Sequence, residues 1–301
     1  MKAKLIAMIL YLAFLPLNAL CQSYNQQFNA LLIKGGSEEQ LKFLKEWEKT
    51  DSNDAELYVA YFNYYVNKSK KEIVMFGKDP KSGQSLALTE PGNKEPVAHM
   101  YSEISYDRDL MKEGYKKVNA GIEKYPERLD MRFGKIYMYG ETEDYESFTK
   151  EIIDTVDYSD KIKSKWTWTD GKLLKNPQEF MLNAIQDYQV KLYNSGNDDL
   201  LENMKRIAET ILKYYPEHVE SLSNLSLVYS LRKEYDKALE LLHSAEKIAP
   251  HDAVVLSNIA QICKITGNIK KSEKYCELAA KYGNENDKKY AREQIEPLKS
   301  K

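Results

Sequence analysis

Apolar residues along this chain recur mostly at steps of three and four, the spacing of one buried helix face. Leu41, Leu44 and Trp47, then Leu57, Tyr58, Tyr61, Phe62 and Tyr65, predict helices at 38–49 and 54–67. Ser37, after Gly35-Gly36, is the expected N-cap of the first. A helix near 107–124 follows, and Met131, Phe133, Ile136 and Tyr137 begin another. Phe180, Ala184, Ile185 and Tyr188 share a face near 177–193; Met204, Ala208 and Ile211 mark 198–214. Two more helices are predicted at 219–231 (Leu222, Leu225, Val228, Tyr229) and 235–248 (Ala238, Leu241, Leu242, Ala245). Pro250 stops the second, and His251-Asp252 offers the next N-cap.

Two stretches break the helical period. Between Glu72 and Ser105, Gly77, Pro80, Gly83, Pro91, Gly92 and Pro96 separate the apolar runs Ile73-Val74-Met75-Phe76 and Leu86-Ala87-Leu88. A non-helical insertion over about 72–105, read as a β-hairpin, is expected there. The second break, Trp166 to Gly171, is short and aromatic. It is expected to join an N-terminal block of degenerate helical repeats at 22–175 to an array at 176–286. Residues 287–301 are polar and helical in pattern, as a capping helix is.

The array repeats itself at one constant shift. Leu222-Ser223-Asn224-Leu225-Ser226 returns as Leu256-Ser257-Asn258-Ile259-Ala260, and Tyr229, Leu242 and Ala245 return as Cys263, Cys276 and Ala279. Segment 219–252 resembles a tetratricopeptide repeat: Leu222, Ser226, Tyr229, Ala238, Ala245 and Pro250 occupy the large, small, aromatic, small, small and proline positions of that family. Segment 253–286 matches less fully, with Gly267 in the turn but Cys263, Ser272 and Asn284 at the aromatic, alanine and proline positions. The resemblance covers about 100 residues and implies an all-α, right-handed superhelical solenoid of helix–turn–helix repeats carrying the small insertion.

The same resemblance implies a groove lined by the first helix of each repeat. In relatives that bind peptides, an asparagine just before the repeat's leucine contacts ligand backbone; Asn224 and Asn258 match it. Its amide donates and accepts at once, as a peptide bond does. Ser223, Leu227 and Ser230, with Ser257, Gln261 and Lys264, are expected to share that surface. An asparagine here also serves to bond neighbouring helices. The lysine pairs of a carboxylate clamp have no counterparts. Cys263 and Cys276 fall on facing helices of one repeat, open to a disulfide or to two small buried apolar groups.

Residues 1–21 form a separate unit. Lys2 and Lys4 precede an apolar run from Leu5 to Leu17, then Ala19-Leu20-Cys21. That is the build of a secretory signal, with cleavage expected between Cys21 and Gln22 and the mature chain exported, periplasmic or at the cell surface. Lipidation of Cys21 is the competing reading, and Leu20, which is not small, argues against it. No other stretch approaches the length of a membrane span.

The remaining composition narrows the chemistry. A net charge of -2 gives no basic footprint for nucleic acid. The four histidines are scattered, and no metal motif, phosphate loop or nucleophile elbow is present. Neither catalytic residues, cofactor nor metal is expected. The leading expectation is a non-catalytic adaptor holding a protein or peptide. Alternatives are glycan binding on the faces of some of the 23 tyrosines or of Trp166 and Trp168, and an enzyme site near His99 and Tyr101 in the insertion.

Overall fold

The computed structural model describes residues 23–34, 36–78, 85–90, 92, 95–286, 288–289 and 293. The export segment with its Cys21–Gln22 cleavage site, Gly35 and most of the 287–301 tail lie outside the described residues. The chain divides into two compact units, Met1–Glu123 and Lys124–Lys301.

The first unit opens with three helices, α1 (Tyr24–Lys34), α2 (Ser37–Thr50) and α3 (Ala55–Ser69), whose core is Phe28, Leu44, Trp47, Leu57, Ala60, Tyr61 and Tyr64. Periodicity does not predict α1, because Phe28 alone is buried from it. Gly36, not Ser37, is the N-cap of α2. Ser37 is already helical and turns its hydroxyl to Tyr64 Oη at 3.2 Å. The insertion is larger than a hairpin: β1 (Lys70–Gly77), β2 (Ser85–Leu88) and β3 (Ala98–Tyr106) form an antiparallel sheet in the order β1-β3-β2. Helix α4 (Arg108–Lys124) follows. Gly114 lets α4 approach α3, since a Cβ there would lie 3.1 Å from Tyr65 Cβ.

The second unit stacks helix pairs: α5 (Leu129–Glu141) with α6 (Tyr145–Lys161), α7 (Pro177–Asn194) with α8 (Leu201–Tyr214), α9 (Val219–Leu231) with α10 (Tyr235–Ile248), and α11 (Ala253–Ile265) with α12 (Ile269–Tyr282). A two-stranded ribbon, β4 (Thr167–Trp168) and β5 (Lys172–Leu173), joins α6 to α7. One turn serves three of the pairs. Glu143, Lys233 and Gly267 each adopt positive φ (55°, 63° and 80°). The next residue's N–H then reaches back five residues: Asp144 to Tyr139, Glu234 to Tyr229 and Asn268 to Cys263, at 2.8–2.9 Å. These bonds satisfy carbonyls that a helix end would otherwise leave open.

Small residues sit where paired helices must approach. Ala238, Ala245, Ala260 and Ala279 are buried together with Leu222, Leu242, Leu256 and Ile259. Ser272, in place of alanine, satisfies its hydroxyl by donating to the Ala260 carbonyl at 2.9 Å. Leu225 is buried, as the repeat register requires. Cys263 and Cys276 are free, buried thiols in this core, and burial raises the pKa of both. The division between units falls at Glu123–Lys124, not near 175. Phe133, Ile136, Phe148, Ile152 and Trp166 share one core with Met181, Ile185 and Ile207. The aromatic stretch is therefore inside a unit, not between two.

Candidate binding face

The first helices of the second unit lie side by side. Gln189 and Ile185 of α7 point inward. Gln186, one residue further around, meets α9, where Asn224 Nδ2 donates to Gln186 Oε1 at 2.6 Å and Gln186 Nε2 returns a bond to Asn224 Oδ1 at 3.4 Å. Tyr188 Oη donates to the Phe133 carbonyl of α5 at 3.5 Å, and Lys191 pairs with Glu141 at 2.7 Å, its ammonium 5.7 Å from the Tyr137 ring.

Of the expected ligand residues, Asn224 is thus occupied by a helix–helix bond. Its partner lies in another repeat and cannot be read from the shift that pairs Asn224 with Asn258. Ser223 is buried and does not share the open surface, while the Ser223 carbonyl accepts the Ser226 hydroxyl at 2.7 Å. Leu227, Ser257, Asn258 and Lys264 are half-buried, and Gln261 is exposed. The structure brings these to neighbouring first helices.

What periodicity did not single out is the apolar edge of this face. Leu231 of α9 is 45% exposed and Ile265 of α11 is 50% exposed. They stand one repeat apart, at the same place in successive first helices. Val190 and Tyr193 of α7 and Tyr137 of α5 are also exposed. The signal for Leu231 and Ile265 was present: both fall in the repeat register, at the last position of the helix, outside the buried stripe.

Charge is handled behind this face. Glu151 of α6, buried, accepts Lys135 Nζ at 2.5 Å and lies 3.6 Å from Arg132. The Arg132 guanidinium lies 4.9 Å from the Tyr158 ring, and burial lowers its pKa. A cavity of about 580 Å³ opens beside the first turn of α7, lined by Lys163, Ser164, Asn176, Asn183, His218 and Glu220. His218 caps α9, its Nδ1 accepting the Ser221 N–H at 3.3 Å. Burial holds the imidazole below the usual histidine range, against the pull of Glu220.

The aromatic candidates divide. Trp166 is fully buried and its indole N–H donates to Ser159 Oγ at 3.0 Å, so it offers no face to a sugar. Trp168 is half-buried, edge-on to Phe133 and Phe180. In the insertion, His99 Nδ1 lies 3.2 Å from Ser85 Oγ and Tyr101 is buried. Among the described residues no three histidine, cysteine or acidic groups converge to hold a metal, and no helix is long and apolar enough to cross a membrane.

The pairs α9–α10 and α11–α12 recur at one constant shift and close through one turn, so the second unit is a stack of helix pairs that carries the helix–turn–helix repeat expected from the tetratricopeptide resemblance. No family model and no curated protein matches the chain. Among solved structures it is similar to YrrB, described as a TPR protein with an unusual peptide-binding site, at 17% identity over 77% of this chain and 88% of that one (TM-score 0.34). It is also similar to PilF of Pseudomonas aeruginosa, at 12% identity over 87% and 76% (TM-score 0.30). Yeast Tom70 is similar at 10% identity over 93% of this chain and 61% of that one (TM-score 0.35).

Proposed function

We infer that the protein is a non-catalytic scaffold whose second unit holds an extended segment of a partner protein against its first helices. The observation that carries this is the pair Leu231 and Ile265: two large apolar side chains, half exposed, at one register position of successive first helices. Single exposed leucines need no explanation, but a periodic row on a rigid scaffold presents apolar contacts at a fixed spacing. Asn258, Gln261 and Lys264 supply amide and ammonium donors beside that row for the backbone of such a segment. The build of residues 1–21 supports export, so the partner belongs to the envelope or cell surface of a bacterium.

Replacing Leu231 and Ile265 together by glutamate tests the assignment. Both side chains stand about half exposed at helix ends, and circular dichroism checks that helicity is retained. A partner cross-linked to the wild type in the cell envelope is expected to be lost from the double variant. Equal capture by both proteins removes the row from the binding site.

A further inference from the structure

Strand β1 has a neighbour on one side only, and among the described residues its other edge is open over eight residues. Protein surfaces blunt such edges with charge, proline or a bulge. The centre of β1, Ile73 to Gly77, carries none of these. Val74 is 60% exposed and Phe76 65% exposed, both on one sheet face. On that face Phe76 sits across from Met100, which sits across from Leu86, giving an apolar row over three strands.

The charges on this face lie at the two ends of the strand. Lys70 and Glu72 precede Val74 by four and two residues, and exposed Lys78, the residue just past the strand's end at Gly77, follows Phe76 by two. A two-fold axis at Met75 therefore brings Glu72 of one strand opposite Lys78 of its mate, and Val74 opposite Phe76. Opposite charges and an aromatic–β-branched pair are favourable cross-strand neighbours, and each occurs twice by symmetry. Ile73 faces Gly77 on the other side, where the missing side chain leaves room.

We propose that β1 is a self-association edge: two copies of the chain pair antiparallel through β1, in the register Glu72–Lys78 and Val74–Phe76, to make one six-stranded sheet. The occupant is a second copy because the strand is complementary to itself in charge and shape about that one axis. The seam is short, so the dimer is weak and depends on concentration. This interface is independent of the α9–α11 face and survives even if that face binds nothing.

Sedimentation equilibrium of the full chain, from about 1 to about 100 μM, spans the range in which such a contact populates. Wild type is expected to pass from monomer to dimer. Glu72→Lys and Lys78→Glu each replace two attractions by two repulsions and are expected to weaken the dimer by about tenfold or more. The double variant Glu72→Lys/Lys78→Glu restores complementarity and is expected to return to the wild-type constant. Both positions are exposed and close to the strand ends, and circular dichroism verifies that the fold persists. A wild type that stays monomeric throughout overturns the proposal, as does a double variant no better than the singles.

Discussion

His218 shows how one side chain is asked to do two things. Its Nδ1 accepts the Ser221 N–H at the start of α9, which requires that nitrogen to be unprotonated. Burial depresses its pKa, with Glu220 at 3.3 Å from Nε2 opposing. The folded state therefore prefers neutral imidazole. The stability this gives is present above the unfolded value of about 6.5 and is lost as pH falls through the lower folded value. His218→Asn keeps a good cap without the titration. The unfolding free energy from urea titrations is expected to fall further between about pH 7.5 and about pH 5.5 in wild type than in the variant, by ~1 kcal/mol, the worth of a cap. Parallel losses in the two proteins mean that His218 does not titrate with folding. At this scale the sequence reading reached Leu225 and Ala238, whose burial follows from period and size. It offered a bond between neighbouring helices as one reading of Asn224 without its partner, and it did not reach the burial of Ser223 or Trp166. Asn224 is tied to Gln186 in another repeat, and Trp166 is covered by α5 and α6 side chains that no local pattern connects to it. Nor does any period mark Glu151 as buried, since a charged helix position ordinarily faces water.

At the scale of elements, the turn between paired helices is the part most strictly repeated. Lys233 and Gly267 occupy the same left-handed position in successive repeats, with φ of 63° and 80°. Nothing lies within 4 Å of where a Cβ would sit at Gly267, so glycine is favoured there by backbone conformation alone. A lysine in that conformation is strained by its own Cβ against the following carbonyl. Lys233→Gly is accordingly expected to stabilise the protein by ~0.5–1 kcal/mol, the relief at the turn less the added freedom of the unfolded chain. Chemical denaturation followed by far-ultraviolet dichroism measures it, and a destabilised variant would show the lysine stem doing more than its backbone costs. Helix bounds at 219–231 and 235–248 were legible to the residue because proline, turn and two buried stripes all agree there. The insertion was legible only in part. Its first two strands are short apolar runs, whereas β3 alternates polar and apolar residues and pairs with β1 across a long intervening stretch of chain. Sequence spacing records neither the pairing nor the third strand.

The division of the chain into units is set by cores, and the core of the second unit begins earlier than its recognisable repeats. Leu129, Phe133 and Ile136 from α5 and Phe148, Ile152 and Val156 from α6 pack with Met181, Ile185, Ile207 and Ile211 of the next pair. The residues that cover α7 and α8 thus come from a stretch whose repeat signature is degenerate, which is why sequence spacing alone puts a boundary near 175. In a stack of this kind each pair is stabilised by its neighbours, and an end pair with an apolar outer face cannot stand at the terminus. A fragment beginning at Lys124 keeps every member of that core. A fragment beginning at Asn176 loses seven large buried side chains of that core, Trp166 included, and exposes the other half of their contacts, each worth about 1.5–3 kcal/mol. That exceeds what a domain of this size has in hand. The 124–301 fragment is expected to melt cooperatively with helicity matching its share of the whole chain. The 176–301 fragment is expected to melt broadly at lower temperature, with α7 unprotected in amide exchange while α9 to α12 remain protected. If the shorter fragment instead melts as sharply and as high as the longer one, α5 and α6 are accessory to the array and the earlier boundary is wrong.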